Sequence, residues 1–351
     1  MDATPRRVVV WATGGVGSIA IRAIHRRPDL ELVGVWVHSP EKVGRDAGEL
    51  AGGDPIGVEA TGDADALIAL RPDCVVYSAS GPERDAAAVP DYERLLAAGI
   101  NVVTTTSTRL VYPAVFEALW RDQLAAAAAE GQASFYASGI FPGFASDQLA
   151  LVLSTLSSSI RTVRAYEVAL NDHYPVASVM MDGMGFGRPL DFEPMLARPG
   201  AIETSWRAPI LLIAAGLGVE VDEIRGALDR EVTHRSIEVA FGTVEAGTCG
   251  AVRTRATGIV AGREAIVVEH MIRMAPDVAP QWPSSEEDTS YGVSIEGDPD
   301  INCTLTLGGG SHAMTATAMR VVNAIPYVVD AKPGLLSSLD LPLTLPTYAL
   351  A

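Results

Sequence analysis

Four consecutive polar residues, Asn171, Asp172, His173 and Tyr174, carry the widest chemical repertoire in the chain. An amide, a carboxylate, an imidazole and a phenol can orient a polar carbon centre and pass a proton, and an imidazole titrates near neutrality. The same run also suits a plain solvated loop, since loops carry both function and ordinary polarity. Far upstream, Thr13, Gly14, Gly15, Val16 and Gly17 follow the β-branched run 8–10 and precede Ile19, Ile21 and Ile24 at roughly helical spacing. Strand, glycine turn and helix together suit a pyrophosphate. The glycines let the backbone approach the ligand, and the first amides of the helix hold its charge. The spacing departs from a full G-x-G-x-x-G: Trp11 stands where a first glycine is expected, and Gly14-x-x-Gly17 carries the turn.

Such a turn works only at the carboxyl edge of a parallel sheet, and the following residues predict one. Apolar strands are expected over 30–37, 74–77, 101–105 and 133–136, with helices over 64–69, 92–98 and 115–129 between them. Alternation of this kind predicts a doubly wound α/β domain over 1–145. Its carboxyl edge gathers small polar residues: Ser78, Ala79 and Ser80 after one strand, Thr104, Thr105 and Ser107 after the next. The strand ending near His38 and Ser39 carries no Asp or Glu there to bind ribose hydroxyls, and Lys42 follows shortly. Small polar and cationic residues favour a 2′-phosphate, so NADP(H) is expected, with NAD(H) as the alternative.

Gly139, Pro142 and Gly143 break regular structure and mark a hinge, and Phe141 and Phe144 are candidates for an apolar substrate wall there. A second α+β domain on a mixed sheet is expected over 146–310, with strands near 163–170, 236–241, 250–260, 264–274, 289–295 and 301–307. A helix is expected over 219–229, and the Gly- and Pro-rich stretch 180–209 reads as a mobile or partner-contacting flap. Residues 311–351 form a C-terminal helix and a tail without periodicity, expected to pack irregularly on the first domain. His312, near the start of that helix, either faces the cleft or serves in capping or packing.

Composition sets outer limits. The chain has 351 residues, 48% of them hydrophobic and 20% charged, which suits two packed cores and excludes a disordered chain. With 43 acidic residues against 26 basic ones, the net charge of −17 argues against nucleic acid or an anionic membrane surface as partner. Cys74, Cys249 and Cys303 show no disulfide or metal-ligand spacing, so no metal is expected. Without a signal-like segment or an apolar run of about 18 residues, a cytoplasmic protein is expected.

The glycine turn, Gly139-Ile-Phe-Pro-Gly-Phe, Met184-Gly-Phe-Gly, Ala279-Pro-Gln-Trp-Pro and the closing Asn323-Ala-Ile-Pro through Lys332-Pro-Gly-Leu occur in order along the chain. In this it resembles the dihydrodipicolinate reductase-like oxidoreductases, and most closely 2,4-diaminopentanoate dehydrogenases and native amine dehydrogenases. The resemblance implies a Rossmann domain, an α/β substrate domain, NAD(P)H, a homodimer, and hydride transfer at a C=N or C=O carbon. It places Asn171 and Tyr174 in the active site and adds Asn323 to the cofactor set. One departure stands out. Amine dehydrogenases of the family carry a glutamate after the strand equivalent to 101–105, and here Thr106-Ser107-Thr108-Arg109 has none. A general base and a counter-charge for an ammonium are both missing there.

The expected activity is therefore reduction of a small imine or carbonyl compound by NAD(P)H. Tyr174, His173 or Asn171 would polarise the substrate or relay the proton, and Ser107 and Arg109 would line the site. The alternatives are an amine dehydrogenase with a displaced acid, Asp172 foremost, and a non-catalytic NADP-binding sensor or scaffold.

Overall fold

A computed structural model describes residues 4–79, 84–285, 287, 289–308 and 310–350. The chain begins with β1 (Arg6–Trp11), α1 (Gly15–His25), β2 (Leu30–Trp36), α2 (Ala47–Leu50), β3 (Ala60–Thr61), α3 (Ala64–Ala69) and β4 (Cys74–Tyr77). It continues through α4 (Arg84–Ala97), β5 (Asn101–Thr104), α5 (Ala118–Gly131) and β6 (Ser134–Ala137). Next come α6 (Gln148–Ser154), β7 (Ser159–Leu170), α7 (Ala201–Gly216), β8 (Glu223–Val232), β9 (Ile237–Val239) and β10 (Gly242–Val244). The remainder is β11 (Cys249–Val260), β12 (Arg263–Arg273), β13 (Thr289–Asp298), β14 (Ile301–Leu307), α8 (Gly310–Val322), α9 (Ile325–Val329) and β15 (Gly334–Leu336).

Two compact units result: Met1–Gly143 with Met314–Ala351, and Phe144–Ala313. The first holds a parallel sheet of order β15-β6-β5-β4-β1-β2-β3. Its strands are short, and β4 is buried at every residue because helices cover both faces of such a sheet. Val8, Val10, Ile21, Ile24, Val35 and Val76 belong to one buried cluster, and burying each large aliphatic side chain contributes about 1.5–3 kcal/mol. The second unit holds a mixed sheet of order β14-β13-β7-β12-β11-β8, in which only the β7–β12 pair is parallel. The doubly wound sheet and the mixed sheet are the two architectures that the sequence predicts.

Three local expectations fail. Residues 219–229 are largely strand: β8 pairs antiparallel with β11 from Glu223↔Ile259 to Val232↔Cys249, and ladder hydrogen bonds override the helix-like spacing. The helix lies earlier, inside the stretch expected as a flap. There Ile202, Trp206, Ile210 and Ile213 line the buried face of α7, and Trp206 donates its indole N–H to Thr254 of β11 at 3.3 Å. The same stretch is anchored by Met180 and Phe186, both fully buried against Cys249, Val252 and Trp282. Finally, the tail is not irregular throughout, because β15 joins the parallel sheet beside β6. Among the described residues, no helix is long and apolar enough to cross a membrane.

Candidate functional site

In the first unit the glycine turn is built as a ligand cradle. Ala12 has φ +86°, a left-handed conformation that favours glycine, directly after β1. The turn therefore reads Ala12-x-Gly14-x-x-Gly17, a dinucleotide fingerprint with alanine at its first position. This corrects the expected register, because Trp11 is the last residue of β1 and lies outside the motif. Gly17 is obligatory: a Cβ there would lie 2.0 Å from the Ala12 carbonyl oxygen and 2.8 Å from Ser78 Oγ. Above Gly14 the space is open, with nothing within 4 Å of an added Cβ. Gly14 precedes α1 without a side-chain cap, and the first turn of that helix carries no acidic residue. Uncapped amides at a helix start, reached over an open glycine, fit a pyrophosphate.

The neighbouring side chains tie this cradle together. Lys42 Nζ lies 3.1 Å from Thr13 Oγ1, and Ser18 Oγ donates to the Thr13 carbonyl at 3.2 Å. Lys42 therefore brings a positive charge from the segment after β2 to the glycine turn. His38 is exposed and tilts against Trp36 at 6.1 Å, while Ser39 is half-buried. Trp36 stacks on Trp11 at 5.0 Å, and Trp11 on Tyr77 at 5.8 Å, so aromatic rings run across the carboxyl ends of β2, β1 and β4. Ser78 donates to the Trp11 carbonyl at 3.2 Å. The buried Ala79 offers its carbonyl to Thr106 Oγ1 at 2.6 Å. Ser80 lies outside the described residues.

Several other expected site residues are structural. Thr104 is buried, 2.9 Å from the Tyr92 hydroxyl, and donates to the Tyr77 carbonyl. Ser107 is fully buried and lies 3.2 Å from the same Tyr92 hydroxyl, so its oxygen braces α4 to the loop after β5. Arg109 pairs with Glu117 and stands 5.1 Å from the Phe116 ring centre, so it brings no free charge to a substrate. Thr105 and Phe141 border a small cavity of about 60 Å³ together with Thr104 and Ser107. Asn323 is a clear correction. Its Oδ1 accepts from Arg27, which lies between α1 and β2 and also pairs with Asp29, at the amino-terminal edge of the sheet. A cofactor held at the glycine turn occupies the opposite edge.

In the second unit, 171–174 leave the carboxyl end of β7. The Asn171 amide donates to the carbonyl of Arg273, the last residue of β12, at 3.0 Å. The Asp172 carbonyl accepts from Ala240 at 2.7 Å, which fixes the backbone of the loop. His173 Nδ1 lies 3.4 Å from Asp172 Oδ1, with both side chains nearly half exposed. Tyr174 is 37% exposed, so its phenol is available to a ligand. These four residues do come together as a polar, solvent-facing group. Phe144 is half-buried, and His312 is exposed near the start of α8. Among the described residues, no cluster of His, Cys, Asp or Glu could hold a metal ion.

Sequence reasoning missed two features. Ala12 was legible by allowing alanine at the first fingerprint position. Arg273 looked like an ordinary charged strand end, yet it is only 5% exposed.

Comparison with known proteins places the chain. Residues 6–109 match the family model for the N-terminus of dihydrodipicolinate reductase, and residues 144–349 match the 2,4-diaminopentanoate dehydrogenase C-terminal domain. An amine dehydrogenase from Streptomyces virginiae is 41% identical over 95% of this chain and 96% of its own length. The 2,4-diaminopentanoate dehydrogenase of Acetoanaerobium sticklandii is 24% identical over 70% of this chain and 67% of its length. Among solved structures, an amine dehydrogenase from Mycobacterium smegmatis superposes with a TM-score of 0.79, covering 98% of both chains at 22% identity. The chain belongs to the 2,4-diaminopentanoate dehydrogenase and amine dehydrogenase family of oxidoreductases, with residues 6–109 matching the N-terminus of dihydrodipicolinate reductase.

Proposed function

We propose that this protein is a nicotinamide-dependent oxidoreductase that moves a hydride between the cofactor and the carbon of a C=N group, interconverting a small amine and its imine. The observation that carries the cofactor half is the turn at Ala12-x-Gly14-x-x-Gly17, where an uncapped helix start meets open space above Gly14. Its residues fit a dinucleotide: the amides of the turn would hold the pyrophosphate, with Thr13, Ser78 and Ala79 shaping its walls. The nicotinamide, when bound, supplies the hydride donor or acceptor. The extent of the likeness to the Streptomyces virginiae amine dehydrogenase supports C=N over C=O as the reacting group.

NADP(H) is the preferred form on this reading. Lys42 sits at Thr13 of the turn, His38 and Ser39 follow β2, and no carboxylate occupies the position after β2 that would bind ribose hydroxyls.

Asn171 would orient the substrate nitrogen, and Tyr174 would hold or move a proton at its hydroxyl. Asp172 and His173, already 3.4 Å apart, would take the part of the acid missing after β5. The pair would pass a proton between the substrate ammonium and water. The working unit is a homodimer, in keeping with the family resemblance.

The test is oxidation of simple primary amines with NADP⁺ and NAD⁺, and the reverse reaction from ketones with and without ammonia. Ammonia-dependent consumption of NADPH supports the reading. Carbonyl reduction that ignores ammonia replaces it with a ketone reductase. Tight nucleotide binding without any turnover favours a sensor.

A further inference from the structure

Past Asn171, whose amide extends the β7 ladder to Arg273, residues 172–175 lie outside any helix or strand, and 173–175 are exposed. Among the described residues, one hydrogen bond ties this stretch to an element distant in sequence. The Ala240 amide donates to the Asp172 carbonyl at 2.7 Å, on the residue that carries the carboxylate. The other contacts of the stretch are its own: the Tyr174 amide donates to the Asn171 carbonyl at 3.3 Å, and His173 stands beside Asp172 at 3.4 Å.

Ala240 opens the two-residue connection between β9 and β10, where Val239 pairs with Gly242. A two-stranded hairpin is marginal on its own, so this one needs outside support. Across its strands Thr243 Oγ1 donates to Glu238 Oε1 at 3.0 Å, and at its base Ser236 Oγ donates to Glu245 Oε2 at 2.7 Å. Ile237 and Val244 are buried in one cluster with Met180, Phe186, Cys249 and Trp282, and Val239 and Phe241 pack against it. The tip is thereby fixed to the core of its own unit. The hairpin ladder ends at Val239 and Gly242, which leaves the Ala240 amide for Asp172.

We propose that Ala240 is a positioning residue: through its amide, the tip of the β9–β10 hairpin sets the backbone of Asp172 and so poises the Asp172–His173 pair for proton transfer. Such transfer needs a heavy-atom approach of about 2.6–3.2 Å, and a misplacement of about 1 Å can cost roughly 10²-fold in rate. A loop held at a single distant point has that point where displacement costs most. The alanine side chain plays no part, so any residue that keeps the N–H serves, and proline removes it. The inference rests on the reading that Asp172 and His173 take the part of the acid missing after β5, and it adds the element that holds them.

The experiment compares Ala240→Pro and Ala240→Ser in the full chain, with 2-aminobutane and NADP⁺ as reactants. Ala240 is not among the residues with positive φ, and the first position of a β-turn accepts proline, so the hairpin should survive. Ala240→Pro should lower kcat about 10–100-fold while KM and NADPH affinity stay within about twofold. It should also speed hydrogen exchange at the Tyr174 amide, and Ala240→Ser should match wild type in every readout. In an Asp172→Asn background, Ala240→Pro should cost less than about twofold more, because groups that act through one another are not additive. An unchanged kcat in Ala240→Pro, an equal loss in Ala240→Ser, or a full further loss in the Asp172→Asn background overturns the proposal. If Ala240→Pro fails to fold, the α-hydroxy acid analogue of alanine at position 240 makes the same comparison, with an ester oxygen in place of the N–H. Wild-type kcat in Asp172→Asn, or no amine turnover at all, would remove the acid reading. The Tyr174 exchange then decides alone: faster exchange upholds the hairpin's hold on the loop and unchanged exchange overturns it, so the two failures are separable.

Discussion

The two sheet edges handle their polar groups in opposite ways. At the carboxyl edge of the parallel sheet the side chains are mostly spoken for: Thr104 and Ser107 on Tyr92, Ser78 on Trp11, Arg109 on Glu117. What remains open there is backbone, the uncapped start of α1 over Gly14. At the end of β7 the backbone is pinned, and the side chains of Asn171, Asp172, His173 and Tyr174 remain at least partly exposed. The contrast suits the two ligands of the proposed reaction. A dinucleotide has an invariant pyrophosphate that amides can hold, whereas a substrate must be selected by side-chain chemistry.

The sharpest break of this contrast is at Gly17. A Cβ only 2.0 Å from the Ala12 oxygen forces β1 and α1 apart, so Gly17→Ala should abolish measurable nucleotide binding. The overpacking should also cost about 1–3 kcal/mol of stability, readable in a thermal melt. If the glycine turn were only a turn, binding would survive the loss of stability.

On the other edge, Tyr174→Phe and Asp172→Asn should lower kcat by roughly 10²–10⁴ while NADPH affinity stays within twofold, as loss of a general acid–base group does. A variant that changes KM alone would assign these groups to binding. Next in size, Lys42→Glu should weaken NADPH about tenfold or more and leave NADH nearly unaffected, since one charge-assisted contact contributes about 1.5–3 kcal/mol.

Smaller still, Ser107→Ala should cost about 1 kcal/mol of stability through the lost contact with Tyr92, with little change in kcat. A large fall in kcat would return Ser107 to the catalytic group. The smallest effect concerns the loop after β2. The Ile56 amide foremost, then those of Gly57, Gly48 and Glu49, hold the Asp46 carboxyl below its ordinary range. A lowered folded value means that this stabilisation is present above about pH 4 and lost as pH falls through it. Melting temperatures of wild type and Asp46→Asn should therefore differ at pH 7 and converge in acid.

Much of the parallel sheet was legible because buried parallel strands are short apolar runs, and β4 falls where the pattern puts it, as do α3 and, in the mixed sheet, β14. The helix–strand exchange around β8 and α7 was not. An edge strand such as β8 alternates charge without an apolar stripe, and the stripe of α7 sits behind a run of glycines and prolines that reads as loop. The site divides along the same line. Gly14, Gly17 and the 171–174 group announce themselves by residue type and spacing. The fates of Ser107, Arg109 and Asn323 depend on Tyr92, Glu117 and Arg27, partners that only the folded chain supplies. Arg273 was invisible because its burial depends on the turn after β12, whose Val278 and Ala279 carbonyls accept from its guanidinium only in the folded chain.

The most direct test of the account is a paired titration of the wild-type protein with NADPH and NADH, followed by tryptophan fluorescence. Trp11 and Trp36 stack beside the glycine turn and should report its occupancy. The account predicts saturable quenching by both nucleotides, with NADPH bound more tightly and the difference erased in Lys42→Glu. Absence of quenching and binding by either nucleotide at micromolar concentrations would contradict it, and the reading of the second edge as a substrate site would fall as well.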